Sequence, residues 1–350
     1  MRFHSKKMSQ FRNRFGWLLR QHFQKSTPNV SINNRISTIS VSSTLDRHNN
    51  NLIRNRPKFP IQRHNYRPIS TSFNQNLNET TNEQQQQQNN THKNKPMTNP
   101  IFGYDVKIDG HKIHYESAGQ GEHVLLLMPG ALGTGRNDFL PQLTGLDGSK
   151  FKIIAWDPPG YGQSRPPERD FEDFYRRDAI MAAKLMKKLN HESYSILGWS
   201  DGGITGIILA AANPYNVQKL IIWGANAYVC EEDRELLRKV RDARNGWSER
   251  MRRPMIEIYG DEHFYQLWDR FISHMLTLSD ICKMDLKRIE CPVLILHGDQ
   301  DPMLAREHPL YLVNNIPNAT LFRFAKGKHN IHQRYAEEFN ELCEDFLLVK

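Results

Sequence analysis

Apolar residues follow two different spacings between residues 101 and 350. Short, almost unbroken apolar runs are typical of parallel strands that are buried on both faces. The runs are Val124–Met128, Phe151–Trp156, Tyr194–Leu197, Leu220–Trp223, Val293–Leu296 and Thr320–Phe324. Between several of them apolar residues recur at helical spacing, as in Ala179–Leu189 and Phe339–Leu347. Strands that alternate with helices predict an α/β fold with a mostly parallel, doubly wound sheet.

Two departures from this alternation refine the predicted fold. Phe102–Ile108 and Lys112–Glu116 alternate apolar and polar residues around Asp109-Gly110, which predicts an antiparallel hairpin at the start of the sheet. Residues 228–288 are rich in charged and aromatic side chains and contain no convincing strand. We interpret them as a helical cap inserted over the sheet, because ordinary crossover helices would require more strands than the sequence offers.

Composition separates the first 99 residues from the rest of the chain. They lack apolar periodicity, are rich in Asn, Gln, Ser and Arg, and include five consecutive glutamines from Gln84 to Gln88. Such a segment cannot bury enough apolar surface to offset the entropy lost on ordering, so we predict a disordered tail over residues 1–99. Residues 100–350 are long enough for one well-buried domain.

The net charge of +9 comes from this tail. Residues 1–100 contain 16 Lys and Arg against 3 acidic residues, which leaves 31 basic and 35 acidic residues for the predicted domain. The domain is therefore mildly acidic, and nothing in its charge indicates binding to nucleic acid.

The beginning of the tail has the features of a targeting segment. No acidic residue precedes Asp46, and apolar residues from Met8 to Phe23 recur at three- and four-residue steps among arginines and lysines. This pattern predicts a mitochondrial transit peptide. The alternatives are a merely basic extension of a cytoplasmic protein or an RNA-binding arm. No apolar run approaches the ~20 residues of a membrane span, and four cysteines without C-x-x-C spacing indicate neither disulfides nor a metal site.

The most specific local motif is Gly198-Trp199-Ser200-Asp201-Gly202, which directly follows a predicted strand and precedes a small-residue helix. A strand–turn–helix context of this kind is typical of a nucleophile elbow, in which tiny residues two positions before and after the serine avoid a clash. We therefore predict Ser200 as the nucleophile of a hydrolase.

A serine nucleophile requires a base and an acid that orients the base. The loop after Val293–Leu296 carries Asp299 and Asp301. We favour Asp301 as the orienting acid, because the loop needs a few residues before a side chain can point inward. Asp299 would then stabilise the turn. His329 precedes the last helix and is the predicted base, whereas the competitor His332 should lie inside the helix and face away.

An oxyanion hole requires two backbone N–H groups. One should come from Asp201, the residue after the nucleophile. The other should come from the glycine-rich loop after Met128, where Ala131 or Leu132 is the predicted donor. This loop lacks the G-x-x-x-x-G-K-[ST] pattern of a phosphate-binding loop.

Together, four stretches resemble the valacyclovir hydrolase, or biphenyl-hydrolase-like, family of α/β hydrolases. They are A-W-D-P-P-G-Y-G-Q-S-R-P-P (155–167), L-G-W-S-D-G-G-I-T (197–205), W-G-A-N-A-Y-V (223–229) and G-K-H-N-I-H (327–332). The resemblance covers residues 101–350. It implies the α/β-hydrolase fold, hydrolysis of α-amino acid esters without a cofactor, and the triad Ser200, Asp301 and His329. It also implies that Asp201 binds the substrate's amino group. Pro159 departs from the pattern, because many members of the superfamily carry Arg there.

We therefore expect a serine esterase that acts on small-molecule esters. We also expect the protein to be monomeric. Epoxide hydrolases and haloalkane dehalogenases share the fold but need a carboxylate at position 200. A carbon–carbon bond hydrolase would prefer a basic or polar pocket for its acidic substrate, whereas Asp201 favours a cationic one. A non-catalytic interaction protein of this fold remains the third alternative.

Overall fold

The computed structural model describes residues 98–349, which form eight strands and eleven helices. The strands are β1 Ile101–Ile108, β2 His111–Ala118, β3 His123–Met128, β4 Phe151–Trp156, β5 Tyr194–Trp199, β6 Val217–Trp223, β7 Val293–Gly298 and β8 Ala319–Phe324. The helices are α1 Gly135–Gly145, α2 Phe174–Lys188, α3 Asp201–Ala212, α4 Glu231–Val240, α5 Ala243–Gly246, α6 Glu249–Tyr259, α7 Asp261–Met275, α8 Lys283–Leu286, α9 His308–Asn315, α10 Ile331–Arg334 and α11 Ala336–Leu348.

All eight strands belong to one sheet in the order β1-β2-β4-β3-β5-β6-β7-β8. The first two strands form the predicted hairpin, and Asp109 and Gly110 in its turn both have positive φ, as a type I′ turn requires. Strand β2 also pairs antiparallel with β4, and every later pairing is parallel. The prediction of a mostly parallel, doubly wound sheet is confirmed.

The inner parallel strands are largely buried on both faces, as their apolar runs indicate, whereas β8 is the edge strand and is only half-buried, so the expectation of burial on both faces is wrong for that run. In β3 the residues Leu125, Leu126 and Leu127 are fully buried, and β7 is buried along its whole length. The register aligns Trp199 with Trp223 and Trp223 with Leu296. The loops that follow β5, β6 and β7 therefore leave the sheet at the same edge, where ligands bind in open α/β sheets.

The residues between β6 and β7 form the helical insertion that the sequence predicts. They contain α4 to α8 and, apart from one isolated bridge between Tyr228 and Asp280, no strand pairing among the described residues. Helix α7 supplies an aromatic and aliphatic face that includes Phe264, Trp268 and Phe271, all buried.

The described chain begins with residues that already belong to the domain. The Asn99 side chain donates hydrogen bonds to the carbonyls of Leu143 and Leu146, at 3.0 and 2.8 Å, so this residue of the predicted tail is docked on α1. The rest of the predicted tail, with its transit segment, lies outside the described residues apart from Thr98 and remains a prediction. Between residues 98 and 349 no helix is long and apolar enough to cross a membrane.

Candidate active site

Ser200 occupies the tight turn between β5 and α3, as the motif predicts. Its φ of 54° and ψ of −120° are strained for a residue with a side chain, and its N–H donates to the carbonyl of Trp223 at 2.9 Å. A Cβ on Gly198 would lie 2.5 Å from the carbonyl oxygen of Gly202. A Cβ on Gly202 would lie 2.0 Å from the carbonyl oxygen of Met128, so neither glycine tolerates a side chain.

Asp301 and His329 form a hydrogen-bonded pair beside this turn. His329 Nδ1 lies 2.8 Å from Asp301 Oδ2, and only 2% of the Asp301 side chain is exposed. The ring of His329 is 5.5 Å from that of Trp199, and Trp199 Nε1 donates to the carbonyl of His329 at 3.0 Å. A Cβ on Gly224 would lie 2.8 Å from the His329 ring. His329 therefore lies against Trp199, which precedes Ser200, and against Gly224, which follows Trp223.

Electrostatics of this pair suit an acid that orients a base. Burial would lower the pKa of His329, but the charge and hydrogen bond of Asp301 outweigh it and hold that pKa above its ordinary value. Burial would likewise raise the pKa of Asp301, but its interactions with His329 outweigh this and lower it. Asp301 Oδ1 also accepts from the N–H of Met303 at 2.8 Å, which fixes the carboxylate in the loop.

The two sequence competitors have other contacts. Asp299 Oδ1 accepts from Arg323 Nε at 2.6 Å, on the neighbouring strand, rather than from an imidazole. His332 lies in α10, as expected, and its ring is fully buried. Its Nδ1 accepts from Trp223 Nε1 at 2.9 Å and its Nε2 donates to the carbonyl of Asp138 at 3.1 Å, so the ring is held neutral with its pKa lowered to about 3 by burial.

The predicted oxyanion loop forms a tight turn against the nucleophile. Gly133 N donates to the carbonyl of Gly130 at 3.0 Å, with Ala131 and Leu132 between them and a φ of 58° at Leu132. The hydroxyl of Tyr259 donates to the carbonyl of Leu132 at 2.7 Å, which ties the turn to the cap. The two amides that the sequence left open, those of Ala131 and Leu132, stay predictions; that of Ala131 directly follows Gly130, where a Cβ would lie 3.4 Å from Ser200 Cβ.

Asp201 is buried and its two carboxylate oxygens have different surroundings. Oδ1 accepts from the hydroxyl of Tyr175 at 2.8 Å, whereas Oδ2 is buried without a hydrogen-bond partner. Burial raises the pKa of Asp201 to about 6, against the opposing effects of Tyr175, Arg169 and His329. An unpartnered buried oxygen is costly, which makes it a candidate for binding a donor from a ligand.

The buried cation near Asp201 already has its own partner. Arg169 binds Asp178 through two hydrogen bonds of 2.9 and 2.5 Å and donates to the carbonyl of Pro159 at 2.7 Å. Arg169, Asp178, Tyr161 and Asp201 line one small internal cavity. Within residues 98–349 Asp201 forms no ion pair, so no salt bridge compensates its negative charge, which Arg169 and His329 favour only from farther away.

Sequence reasoning missed the residues that support this site from a distance. Asp233, at the start of α4, accepts from the N–H of Ala305 at 2.9 Å and contacts Nε2 of the fully buried His308 at 2.6 Å. These contacts hold the first cap helix against the loop that carries Asp301. Asp233 also accepts from the N–H of Cys230 at the helix start, but its contacts with Ala305 and His308, like that of Tyr175 with Asp201, join residues far apart in the sequence and are not marked by a local motif.

This geometry defines a class of protein. A strained serine between a strand and a helix, a histidine–aspartate pair beside it, and a helical insertion over a mostly parallel sheet are the features of a hydrolase of the α/β-hydrolase fold. A family model described as the alpha/beta hydrolase fold matches residues 123–259. An esterase from Exiguobacterium antarcticum superposes with a TM-score of 0.59 at 20% identity and covers 71% of this chain and 100% of that one, which supports the fold.

Two curated proteins are much more similar in sequence. Serine hydrolase BPHL of Mus musculus is 46% identical over 248 residues, which are 69% of this chain and 85% of that protein. Serine hydrolase BPHL of Homo sapiens is 45% identical over the same shares of both chains. The chain therefore belongs to the family of the BPHL serine hydrolases, as its motifs indicate, and it is a hydrolase.

Proposed function

We propose that this protein is a serine esterase that hydrolyses esters of α-amino acids through an acyl-enzyme. The observation that carries the proposal is the combination of a strained Ser200 with the Asp301–His329 hydrogen bond and the uncompensated, buried carboxylate of Asp201. The first two features supply nucleophilic catalysis, and the third supplies a binding site for a positive charge one residue from the nucleophile.

In the proposed mechanism His329 removes the proton of Ser200 as the hydroxyl oxygen attacks the ester carbonyl. Asp301 accepts the Nδ1–H of His329, which leaves Nε2 free to take that proton and stabilises the imidazolium. The amides of Asp201 and Ala131 bind the tetrahedral oxyanion. The imidazolium then protonates the leaving alcohol, and water activated by His329 hydrolyses the acyl-enzyme.

Asp201 has to bind a cation for this arrangement to favour reaction. An isolated carboxylate beside the nucleophile would oppose the developing oxyanion, because both are negative. A substrate ammonium bound to Asp201 Oδ2 balances that charge and supplies the missing donor. Tyr175 holds the other oxygen, which fixes the orientation of the carboxylate.

The experiment compares an L-phenylalanine ester with its N-acetylated twin, using the full chain and the Ser200→Ala variant as the blank. We expect kcat/KM for the free amine to exceed that for the acetylated ester by at least about tenfold, because only the former is cationic. Equal rates would leave a serine esterase but remove the role of Asp201. Turnover of neither ester would favour carbon–carbon bond hydrolysis or a non-catalytic protein, and persistence of the rate in Ser200→Ala would refute the mechanism.

A further inference from the structure

Asp138 is a buried carboxylate for which the mechanism above has no role. It lies in the first turn of α1, where Thr134 caps the helix by accepting from the N–H of Asn137 at 3.0 Å. Only 2% of Asp138 is exposed. Burial raises its pKa to about 7, with the nearby Asp157 adding to the rise and the amide of Gly130 opposing it. A carboxyl group buried at such a cost usually serves a specific contact.

That contact is with both ends of the predicted oxyanion turn. Asp138 Oδ2 accepts from the N–H of Gly130 at 3.0 Å. The same oxygen lies so close to Gly133 that a Cβ there would be 1.9 Å from it. Gly130 and Gly133 are the residues whose mutual hydrogen bond closes the turn around Ala131 and Leu132.

The turn that Asp138 holds is packed directly against the nucleophile. A Cβ on Gly130 would lie 3.4 Å from Ser200 Cβ and 3.2 Å from Trp199 Cε3. A small rotation of the Gly130 peptide would therefore move the following amide, that of Ala131, relative to Ser200. Misplacement by about 1 Å can reduce catalysis by about two orders of magnitude.

The backbone of Asp138 is tied to the opposite side of the site. Its carbonyl accepts from His332 Nε2 and from Gln333 Nε2, each at 3.1 Å. His332 follows the predicted base His329 by three residues, and its ring centroid lies 4.6 Å from that of Trp199, with the ring planes tilted by 51°. One residue thus contacts the oxyanion turn through its side chain and the segment that carries the base through its carbonyl.

We propose that Asp138 is a positioning residue that holds the Gly130–Gly133 turn so that the amide of Ala131 faces the oxyanion. The inference rests on the proposed function, because it assumes that Ser200 forms a tetrahedral intermediate. Its effect should fall on the transition state rather than on substrate binding, since the oxyanion exists only there.

Two variants weaken the hydrogen bond between Asp138 and the N–H of Gly130 to different degrees. Asp138→Asn keeps an acceptor oxygen but loses the charge, whereas Asp138→Leu has a similar size and no acceptor. We expect kcat for the L-phenylalanine ester to fall about threefold to tenfold in the first and about ten- to a hundredfold in the second, with KM within about twofold in both. Asp285→Asn is the matched control, because Asp285 is almost equally buried but pairs with Arg176 and Arg288 and has no contact with the Gly130–Gly133 turn.

A second measurement does not depend on turnover and remains available if Asp138→Leu does not fold. Phenylethylboronic acid forms a tetrahedral adduct with an active serine, so its affinity should fall in Asp138→Asn by the same factor as kcat. An unchanged kcat and boronate affinity in Asp138→Asn would overturn the inference, as would an equal loss of kcat in Asp285→Asn or a rise in KM at constant kcat. The proposed function is tested separately by comparing ester turnover in the wild type and in Ser200→Ala, which should be inactive.

Discussion

The substitution Asp201→Asn separates the carboxylate of Asp201 from its backbone amide. Asparagine has the same shape and keeps the N–H that we assign to the oxyanion hole, but it carries no charge. We expect the variant to lose its preference for esters with a free α-amino group. Its activity on the N-acetylated ester should remain within about threefold of wild type, because that substrate has no cation to bind.

The expected loss of kcat/KM follows from the burial of the charge pair that Asp201 forms with the substrate ammonium. Asp201 is 7% exposed, and Tyr175 satisfies only one of its two oxygens. Removal of one partner from a buried hydrogen-bonded charge pair costs about 2–5 kcal/mol. At about 1.4 kcal/mol for each factor of ten, kcat/KM for the amino ester should fall between about thirtyfold and several thousandfold.

The pH dependence of the wild-type preference provides an independent assay. The ratio of kcat/KM for the amino ester to that for its acetylated twin cancels the titration of His329, which affects both substrates. Because the pKa of Asp201 is raised to about 6, the ratio should decline as the pH falls below 6 and the carboxylate is protonated. It should also decline above the pKa of the substrate amine, near 7.7–8.0 for an ordinary α-amino group.

A ratio that stays constant between pH 5 and pH 7 would refute this reasoning, and so would an Asp201→Asn variant with the wild-type preference. Thermal unfolding of the variant serves as the control. Replacement of a buried, uncompensated carboxylate by a neutral amide removes a desolvation cost, so the variant should be at least as stable as the wild type.

Two further predictions concern the same site. For the acetylated ester, kcat/KM should fall as the pH decreases through the pKa of His329, which Asp301 holds above its usual 6.5. Because Asp201 also raises the pKa of His329, the apparent pKa of this profile should be lower in Asp201→Asn. An unchanged midpoint would argue against the electrostatic interaction of Asp201 with His329. In Tyr175→Phe the hydrogen bond that lowers the pKa of Asp201 is lost, so the acid limb of the amino-ester preference should move to higher pH. A limb that stays in place or moves to lower pH would contradict that assignment.

The strands and the elbow were predictable because each has a local cause. Strands β3 to β7 are largely buried on both faces and appear as apolar runs, and the turn at Ser200 requires glycine at 198 and 202 on steric grounds alone. The sequence also restricted the oxyanion donor to two residues but did not choose between them. That choice depends on how the loop packs against Ser200, which only the folded protein shows.

Helix α1 and the supporting carboxylates were not predicted. Helix α1 has glycine at both ends and Pro141 inside, so it lacks both helix propensity and an apolar periodicity. Asp138 and Asp233 bind backbone amides that they meet only through the tertiary fold, as Asp233 meets Ala305 across 72 residues. Helix α2 also begins at Phe174, five residues before the predicted start, because Phe174 and Tyr175 in its first turn pack against His274 and Met275 of the cap.

The most direct test of the central claim is detection of the acyl-enzyme. The full chain would be mixed with an activated L-phenylalanine ester and quenched in acid within the first turnovers, and its peptides would be analysed by mass spectrometry. We predict the mass of one phenylalanyl group on the peptide that contains Ser200, and no such adduct in Ser200→Ala. Ester turnover accompanied by an adduct on a different residue, or an adduct that persists in Ser200→Ala, would contradict the assignment of Ser200 as the nucleophile.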